Sequence, residues 1–269
     1  MSAEPILLVS EPRDGIQVLV LNRPKAANAL VFPLLSAIID ALKAAATNDA
    51  VKLVIITGKG RFFSAGADVA AIAGSAKQPS GVESLIEGLR NNSVALTETL
   101  IHFPKVVVAA VNGPAVGYAA GFLGLFDMVL VSEAGSFQAP FLHLGLCPEG
   151  GSSYAVARAV GPKRFTEWLL SGRAVRAKEM LSSGLACGRL YPADSFLDNV
   201  VADLTRGVKA TPMSSILVSK KLLRAPDLEE LRRTNEREFD GLAKQFREGS
   251  VFKRFAAVMM GLERKKSKL

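Results

Sequence analysis

Two apolar runs, each followed by a turn of small residues and then a helical pattern, constrain the fold of this chain most strongly. The first is the β-branched run from Val51 to Thr57, which is bounded by Gly58. The second runs from Lys105 to Val111 and leads into the small-residue segment Gly113 to Leu125. Continuous apolar runs of this length are typical of buried strands. The sequence therefore predicts an α/β fold.

Shorter strands and longer helices are predicted around these two runs. Predicted strands are Ile6 to Val9, Ile16 to Leu21, Met128 to Val131 and Ser136 to Gln138. Apolar residues at helical spacing predict a helix from Leu30 to Ala46. Ser80 and Glu83 form a capping-box pattern at the start of a long helix that reaches about Phe103.

From Gly150 onward the pattern is helical. Pro162 and Pro212 suit the first position of a helix, and Asp227 with Glu230 resembles a second capping box. The prediction is a β-rich core over residues 1–195. A helical region over residues 196–269 would pack on that core or on a neighbouring subunit.

Composition excludes several classes of protein. The chain has 269 residues, of which 49% are hydrophobic and 22% charged, a composition that is ordinary for a globular protein. No apolar run reaches the roughly 18 residues of a membrane span. Two cysteines cannot build a disulfide framework or a four-ligand zinc site, and two histidines give no histidine cluster, so no metal site is predicted. The net charge is +8, but acidic residues are interleaved through the basic stretch 220–269. This interleaving favours a solvated helix face over a dedicated polyanion site, so no nucleic-acid partner is predicted, while phosphates on a small ligand stay compatible.

The last three residues, Ser267, Lys268 and Leu269, match a peroxisomal targeting signal that an import receptor reads. The basic run from Arg264 to Lys266 before them favours exposure. The sequence therefore predicts a peroxisomal location.

Two turns carry the candidate chemistry. The first is Phe62 to Asp68 and the second is Asn112 to Gly121. Small residues allow the backbone to approach a ligand closely, and free N–H groups at the start of a helix can bind an oxyanion. Small residues also serve plain helix–strand packing, and Asp68 is better placed as an N-cap than as a catalytic acid.

These turns, with the segment Leu21 to Leu30, resemble the crotonase (enoyl-CoA hydratase/isomerase) superfamily in residues, order and spacing. The resemblance rests on Leu21-Asn-Arg-Pro-Lys-Ala-Ala-Asn-Ala-Leu30, Ser64-Ala65-Gly66-Ala67-Asp68 and Val111-Asn-Gly-Pro-Ala-Val-Gly117. It implies a spiral of ββα turns, assembled as a trimer or a dimer of trimers. It also implies an acyl-CoA substrate, with coenzyme A as part of that substrate and no separate cofactor.

The resemblance assigns roles to individual residues. The backbone N–H groups of Ala67 and Tyr118 would form an oxyanion hole for the thioester oxygen. The turn residues Ser64, Ala65, Gly66, Asp68 and Gly117 would surround it. Lys25, Ala26 and Ala27 match the segment beside the adenine and phosphates of coenzyme A, although Lys25 also fits a solvated surface lysine.

The resemblance argues against hydration. Family hydratases use two glutamates, and the corresponding positions hold Gly121 and Phe141. The turn Leu144 to Tyr154 instead carries Glu149, and here the chain is most similar to peroxisomal 3-enoyl-CoA to 2-enoyl-CoA isomerases. Cys147 stands where those enzymes have serine.

Shifting a double bond from C3 to C2 requires a proton to leave C2 and one to return at C4. One carboxylate over both carbons can do both steps without activating water. An apolar site raises the pKa of such a carboxylate, and Phe122, Phe141 and Leu144 are candidate walls.

The alternatives are a structural Glu149 that stabilises a helix N-terminus, a dienoyl-CoA isomerase, hydratase or thioesterase, and a non-catalytic acyl-CoA-binding module. No second acid near the pocket is predicted.

Overall fold

The computed structural model describes residues 4–75 and 81–257. Its strands form a six-stranded sheet in the order β1-β2-β3-β4-β6-β9 and a smaller sheet in the order β5-β7-β8. All neighbours in the larger sheet run parallel except β1 and β2. The strands are β1 (Leu7–Val9), β2 (Ile16–Leu21), β3 (Leu53–Gly58), β4 (Val106–Val111), β5 (Pro114–Val116), β6 (Met128–Ser132), β7 (Ser136–Gln138), β8 (Val175–Arg176) and β9 (Leu190–Tyr191).

Helices connect and cover these strands. The α-helices are α1 (Phe32–Thr47), α2 (Val69–Ser75), α3 (Gly81–Leu89), α4 (Ala95–His102), α5 (Tyr118–Gly121), α6 (Ser152–Val160), α7 (Pro162–Ser171), α8 (Ala177–Ser182), α9 (Phe196–Lys209), α10 (Met213–Arg224) and α11 (Leu228–Glu248). A π-helical segment, Arg90–Val94, joins α3 to α4. Residues 250–257 are also helical.

The two long apolar runs are the two central strands of the larger sheet. Every residue of β3 is buried, as is every residue of β4 except Val106. Alternate side chains of these strands face α1, α3 and α4 on one side and α9 on the other. Burial on both faces explains why both runs are continuously apolar.

The parallel arrangement places the loops that follow β2, β3 and β4 at one edge of the sheet. Leu21 pairs with Gly58, and Thr57 pairs with Ala110. Because parallel strands end at the same edge, the three loops that carry the candidate chemistry start side by side.

The helical region is in direct contact with the rest of the chain. Helix α11 packs against α3, α4 and α6, and Arg247 near its end forms an ion pair with Glu83 at 2.8 Å. Across residues 4–75 and 81–257, no helix combines the length and apolar character needed to cross a bilayer.

Several local predictions need correction. Pro162 is the first residue of α7 as predicted, but Pro212 is the residue before α10. The Asp227 capping box is wrong, because the Asp227 carboxylate accepts a hydrogen bond from the Tyr154 hydroxyl at 2.8 Å instead. Strands β5, β8 and β9 are missing from the predicted elements. Ser80 and the C-terminal tripeptide lie outside the described residues.

Candidate active site

Hydrogen bonds between backbones hold the two small-residue turns against each other. The Ser64 N–H donates to the Pro114 carbonyl at 3.2 Å, and the Val116 N–H donates to the Ser64 carbonyl at 2.9 Å. At Gly66, where φ is +80°, a Cβ would lie only 2.4 Å from the Val116 carbonyl oxygen. Glycine is therefore required there for the two turns to touch.

The first turn is also fixed from below. The Ser64 hydroxyl donates to the Asn28 carbonyl at 2.8 Å and accepts the Gly66 N–H at 3.1 Å. The Ala65 N–H donates to the Ala27 carbonyl at 2.9 Å. Three loops from three neighbouring strands thus form one rigid frame.

Two backbone N–H groups in this frame are left available. Tyr118 is the first residue of α5, a position whose N–H has no acceptor within the helix. Among residues 4–75 and 81–257, neither the Tyr118 N–H nor the Ala67 N–H is hydrogen-bonded. Both residues line the same cavity. The arrangement suits an oxyanion, which accepts two N–H bonds at once.

The cavity has a volume of about 280 Å³. Its walls are mainly aliphatic and aromatic, and they include Leu30, Phe32, Leu85, Phe141, Leu242 and Phe246. The polar side chains on the walls are Asp68, Ser93, Tyr118 and Glu149. A mostly apolar cavity with few polar groups is typical of a small-molecule site.

Asp68 has structural partners. Its Oδ1 accepts the Ala71 N–H at 3.2 Å near the start of α2, and its Oδ2 lies 3.8 Å from the Arg23 guanidinium. The carboxylate therefore stabilises the start of a helix, as the sequence predicts.

Glu149 differs from Asp68 in having no such partner. Within the described part of the chain, no hydrogen bond or ion pair holds its carboxyl group. Burial, as the larger cause, and the nearby carboxylate of Glu238 together raise the pKa of Glu149 from 4.5 to about 8. A carboxyl group with a pKa near neutrality is suited to accept and return a proton.

Gly121 explains how the Glu149 turn reaches the cavity. A Cβ at Gly121 would lie 2.4 Å from the Glu149 carbonyl oxygen. The position that holds a glutamate in the hydratases of the resembled family has no room for a side chain here. The Glu149 turn occupies that space, and the ring of Phe141 lies 3.5 Å from the same point.

The sequence missed one acid near the site, Glu238 on α11. The side chain is only 7% exposed, and it lines a small cavity together with Glu149 and Tyr118. The prediction that no second acid lies near the pocket is therefore wrong. A signal was available, because Glu238 falls at helical spacing from Leu231, Asn235 and Leu242, on the buried face of an otherwise charged helix.

The other predicted site residues divide into three groups. Ala65, Ala67, Asp68, Gly117, Tyr118, Phe141 and Glu149 line the cavity. Ser64 and Gly66 are buried and shape the first turn. Lys25 and Ala26 lie exposed in a 3-10 helix, and Ala27 follows it, outside the cavity wall. Their role toward coenzyme A stays a prediction.

Phe122 does not form the apolar wall that the sequence predicts. It is buried behind the cavity, with its ring centre 5.2 Å from that of Tyr118 and 6.4 Å from that of Phe63. Because its ring packs against these two aromatic rings, Phe122 is not among the residues that line the cavity. Leu144, the third predicted wall residue, does line the cavity.

Two other candidate groups, His143 and Cys147, do not line the cavity. His143 has its Nε2 3.1 Å from the Leu170 carbonyl. Burial raises the pKa of the Cys147 thiol to about 12, so the thiol stays protonated and is a poor nucleophile. In the described residues, no three His, Cys, Asp or Glu side chains come together in a group able to hold a metal ion.

Comparison with known proteins gives a consistent result. The family model described as enoyl-CoA hydratase/isomerase matches residues 11–268. The chain is 37% identical to human enoyl-CoA delta isomerase 2 over 238 residues, covering 87% of the chain and 58% of that protein. It is 34% identical to mouse peroxisomal enoyl-CoA delta isomerase 3, covering 88% of the chain and 72% of that protein.

Solved structures agree on the fold. The crystal structure of an enoyl-CoA hydratase from Mycobacterium avium subsp. paratuberculosis superposes with a TM-score of 0.82 at 32% identity, covering 95% of this chain and 96% of that one. The predicted α/β fold class is confirmed. The chain spans 58% of the length of the human relative.

Proposed function

Because the chain belongs to the enoyl-CoA hydratase/isomerase family, we propose that it is an enoyl-CoA delta isomerase. It moves the double bond of a 3-enoyl-CoA to the 2-trans position, a step of fatty-acid β-oxidation. The observation that carries this proposal is Glu149: its carboxyl group has no partner within the described part of the chain, and it lies on the wall of the cavity that also holds the N–H groups of Ala67 and Tyr118.

The chemistry follows from this arrangement. The ionised Glu149 carboxylate takes a proton from C2, and the electron pair moves onto the thioester oxygen to give a dienolate. The N–H groups of Ala67 and Tyr118 bind that oxygen, and each such donor typically lowers the barrier by about 2.7–4 kcal/mol. Glu149 then returns the proton to C4, which closes the double bond between C2 and C3.

The surroundings of Glu149 support isomerisation over the other family reactions. Hydration would need a second acid or base that reaches the substrate, but the two positions in question hold Gly121, which has no room for a side chain, and Phe141. Glu238 does not line the larger cavity, and both its oxygens already accept backbone N–H groups. A dienoyl-CoA isomerase would require that acid to be free.

The assay compares products rather than binding. Purified protein is incubated with 3-hexenoyl-CoA, and the conjugated 2-isomer and any 3-hydroxyacyl-CoA are quantified. We expect the 2-isomer as the main product. Glu149→Gln should lower the rate by about 10² to 10⁴, the range typical for loss of a general base. Glu133→Gln, which changes an exposed acid in a turn, is the matched control and should leave the rate unchanged.

Each alternative gives a different result in the same assay. Hydroxyacyl-CoA as the main product would support a hydratase, and free coenzyme A would support a thioesterase. Binding of the thioester without turnover would support a non-catalytic module. An unchanged rate in Glu149→Gln would show that another residue is the base.

We also propose a peroxisomal location and a homotrimer or dimer of trimers. One relative at 34% identity is named as peroxisomal. Helix α10 exposes the apolar side chains of Val218, Leu222 and Leu223, a surface that assembly would cover. Imaging of a fluorescent fusion with and without residues 267–269 tests the location, and sedimentation analysis tests the assembly.

A further inference from the structure

Glu238 holds the turn that carries Glu149. Its Oε2 accepts the Gly151 N–H and its Oε1 accepts the Ser153 N–H, both at 2.7 Å. Gly151 is the residue before α6, and Ser153 is the second residue of that helix. A buried side chain from the C-terminal helical region therefore fixes the backbone two residues after the proposed base.

Glu238 and Glu149 also share a cavity. This second cavity has a volume of about 20 Å³, and its polar lining includes Tyr118, Glu149, Asn235 and Glu238. Glu149 lines both this cavity and the larger apolar one, whereas Glu238 lines only the smaller. Glu238 thus faces the base without reaching the space open to a substrate.

We propose that Glu238 is a positioning residue for Glu149: it locks the turn through the Gly151 and Ser153 N–H groups and places a second carboxylate beside the base. This inference rests on the proposed function, because it assigns Glu149 the role of base. In this role Glu238 acts through Glu149 and does not touch the substrate.

The two carboxyl groups have unequal surroundings, and the inequality decides which one is ionised first. Burial raises the pKa of Glu238, but its bonds to the Ser153 and Gly151 N–H groups oppose that rise. Within residues 4–75 and 81–257, Glu149 has no such donors. Glu238 therefore ionises first, at the N-terminus of α6, where negative charge is favoured. Its charge then disfavours ionisation of Glu149.

In the part of the chain that the structure describes, the other titratable groups near Glu149 stay neutral or are already paired. Burial raises the pKa values of the Tyr118 hydroxyl and the Cys147 thiol, so both remain protonated. Asp68, on the wall of the larger cavity, interacts with Arg23. The negative charge of Glu238 therefore raises the pKa of Glu149 and makes it a stronger base. A stronger base removes a carbon-bound proton faster, once it is ionised.

Three variants separate a positioning role from a purely structural one. Glu238→Gln removes the charge but keeps one oxygen that can accept an N–H. Glu238→Asp keeps the charge but withdraws it by one methylene group. Glu236→Gln is the control, because it removes an acid from the same helix at a position 55% exposed and paired with Arg90.

The measurement is a ¹³C NMR titration of the full-length protein labelled in its glutamate carboxyl groups, with the Glu149 signal assigned by its absence in Glu149→Gln. We expect the titration midpoint of Glu149 to fall by about half a pH unit or more in Glu238→Gln, and by less in Glu238→Asp. The midpoint of the pH–rate profile should fall in parallel, and kcat on its plateau should drop about 3- to 10-fold. Glu236→Gln should change none of these.

An unchanged Glu149 midpoint in a folded Glu238→Gln overturns the proposal, even if stability falls. If Glu238→Gln does not fold, Glu238→Asp decides by the same criterion. The titration needs no turnover, so it stays informative if the wild type proves not to be an isomerase. In that case the proposed function fails, while the coupling between the two carboxyl groups is still measured.

Discussion

Replacing Glu149 with glutamine should stabilise the protein at alkaline pH while removing its activity. The pKa of Glu149 in the folded protein is about 8, compared with an ordinary value of 4.5. Between these two values, the folded protein holds a proton that the unfolded chain releases. The contribution of Glu149 to the free energy of unfolding is therefore fully present below about pH 4.5 and is lost as the pH rises toward 8. Glutamine has no charge to bury, so it escapes this loss.

The size of the effect follows from the same two values. At about 1.4 kcal/mol for each pH unit, the full loss is about 5 kcal/mol. The wild type and Glu149→Gln should differ by about 1 kcal/mol at pH 5 and by about 4 to 5 kcal/mol at pH 8.5, with the variant more stable. This is a large fraction of the stability of an ordinary domain.

Urea denaturation of both proteins at pH 5 and pH 8.5, at one fixed protein concentration, measures this difference. Glu133→Gln serves as the control, because it also removes one carboxylate, but at an exposed position in a turn. A stability difference between wild type and Glu149→Gln that stays constant from pH 5 to pH 8.5 would contradict the raised pKa of Glu149. A Glu149→Gln protein that is less stable than the wild type at pH 8.5 would contradict it as well.

Four further results are expected. In wild type, kcat/KM should rise with pH and level off above about pH 8, because the base must lose its proton; a flat profile between pH 6 and 9 would contradict this. Gly66→Ala should reduce the free energy of unfolding by at least about 2 kcal/mol, because the new Cβ meets a backbone oxygen at 2.4 Å. Gly207→Ala, in open space on a helix, is its control and should stabilise the protein by about 0.5–1 kcal/mol. Equal melting temperatures for these two variants would refute the contact at Gly66. Tyr118→Phe removes a hydroxyl bonded to a buried carbonyl at 2.6 Å and should lower stability by about 1–3 kcal/mol, yet kcat/KM should fall less than about tenfold, because the oxyanion would be held by the backbone. Gly121→Ala should push the Glu149 turn aside and lower kcat by at least about tenfold, so wild-type kinetics would show that the turn has room to move.

The central strands could be predicted, and Glu149 could be proposed as the base, because both signals are local in sequence. A strand covered on both faces must be apolar throughout, and β3 and β4 are. Glu149 is recognisable because its turn resembles that of one enzyme class. Ala67 and Tyr118 are predictable for a similar reason, since each sits in a short turn of small residues.

Long-range packing produced the errors. Glu238 lies 85 and 87 residues from the N–H groups that it binds, and nothing in its neighbourhood along the chain indicates that contact. Strands β8 and β9 have two residues each and form only because longer strands lie beside them. Phe122 is aromatic and close to the site in sequence, but it packs against Tyr118 and Phe63 and does not line the cavity.

The most direct test of the account follows a deuterium label through the reaction. A 3-hexenoyl-CoA with two deuterium atoms at C2 is converted in ordinary water, and the product from early conversion is analysed by mass spectrometry. If Glu149 carries the proton from C2 to C4 inside an apolar cavity, part of the 2-hexenoyl-CoA should hold deuterium at C4. A product with hydrogen alone at C4, even at the earliest time points, would contradict a single shuttling carboxylate.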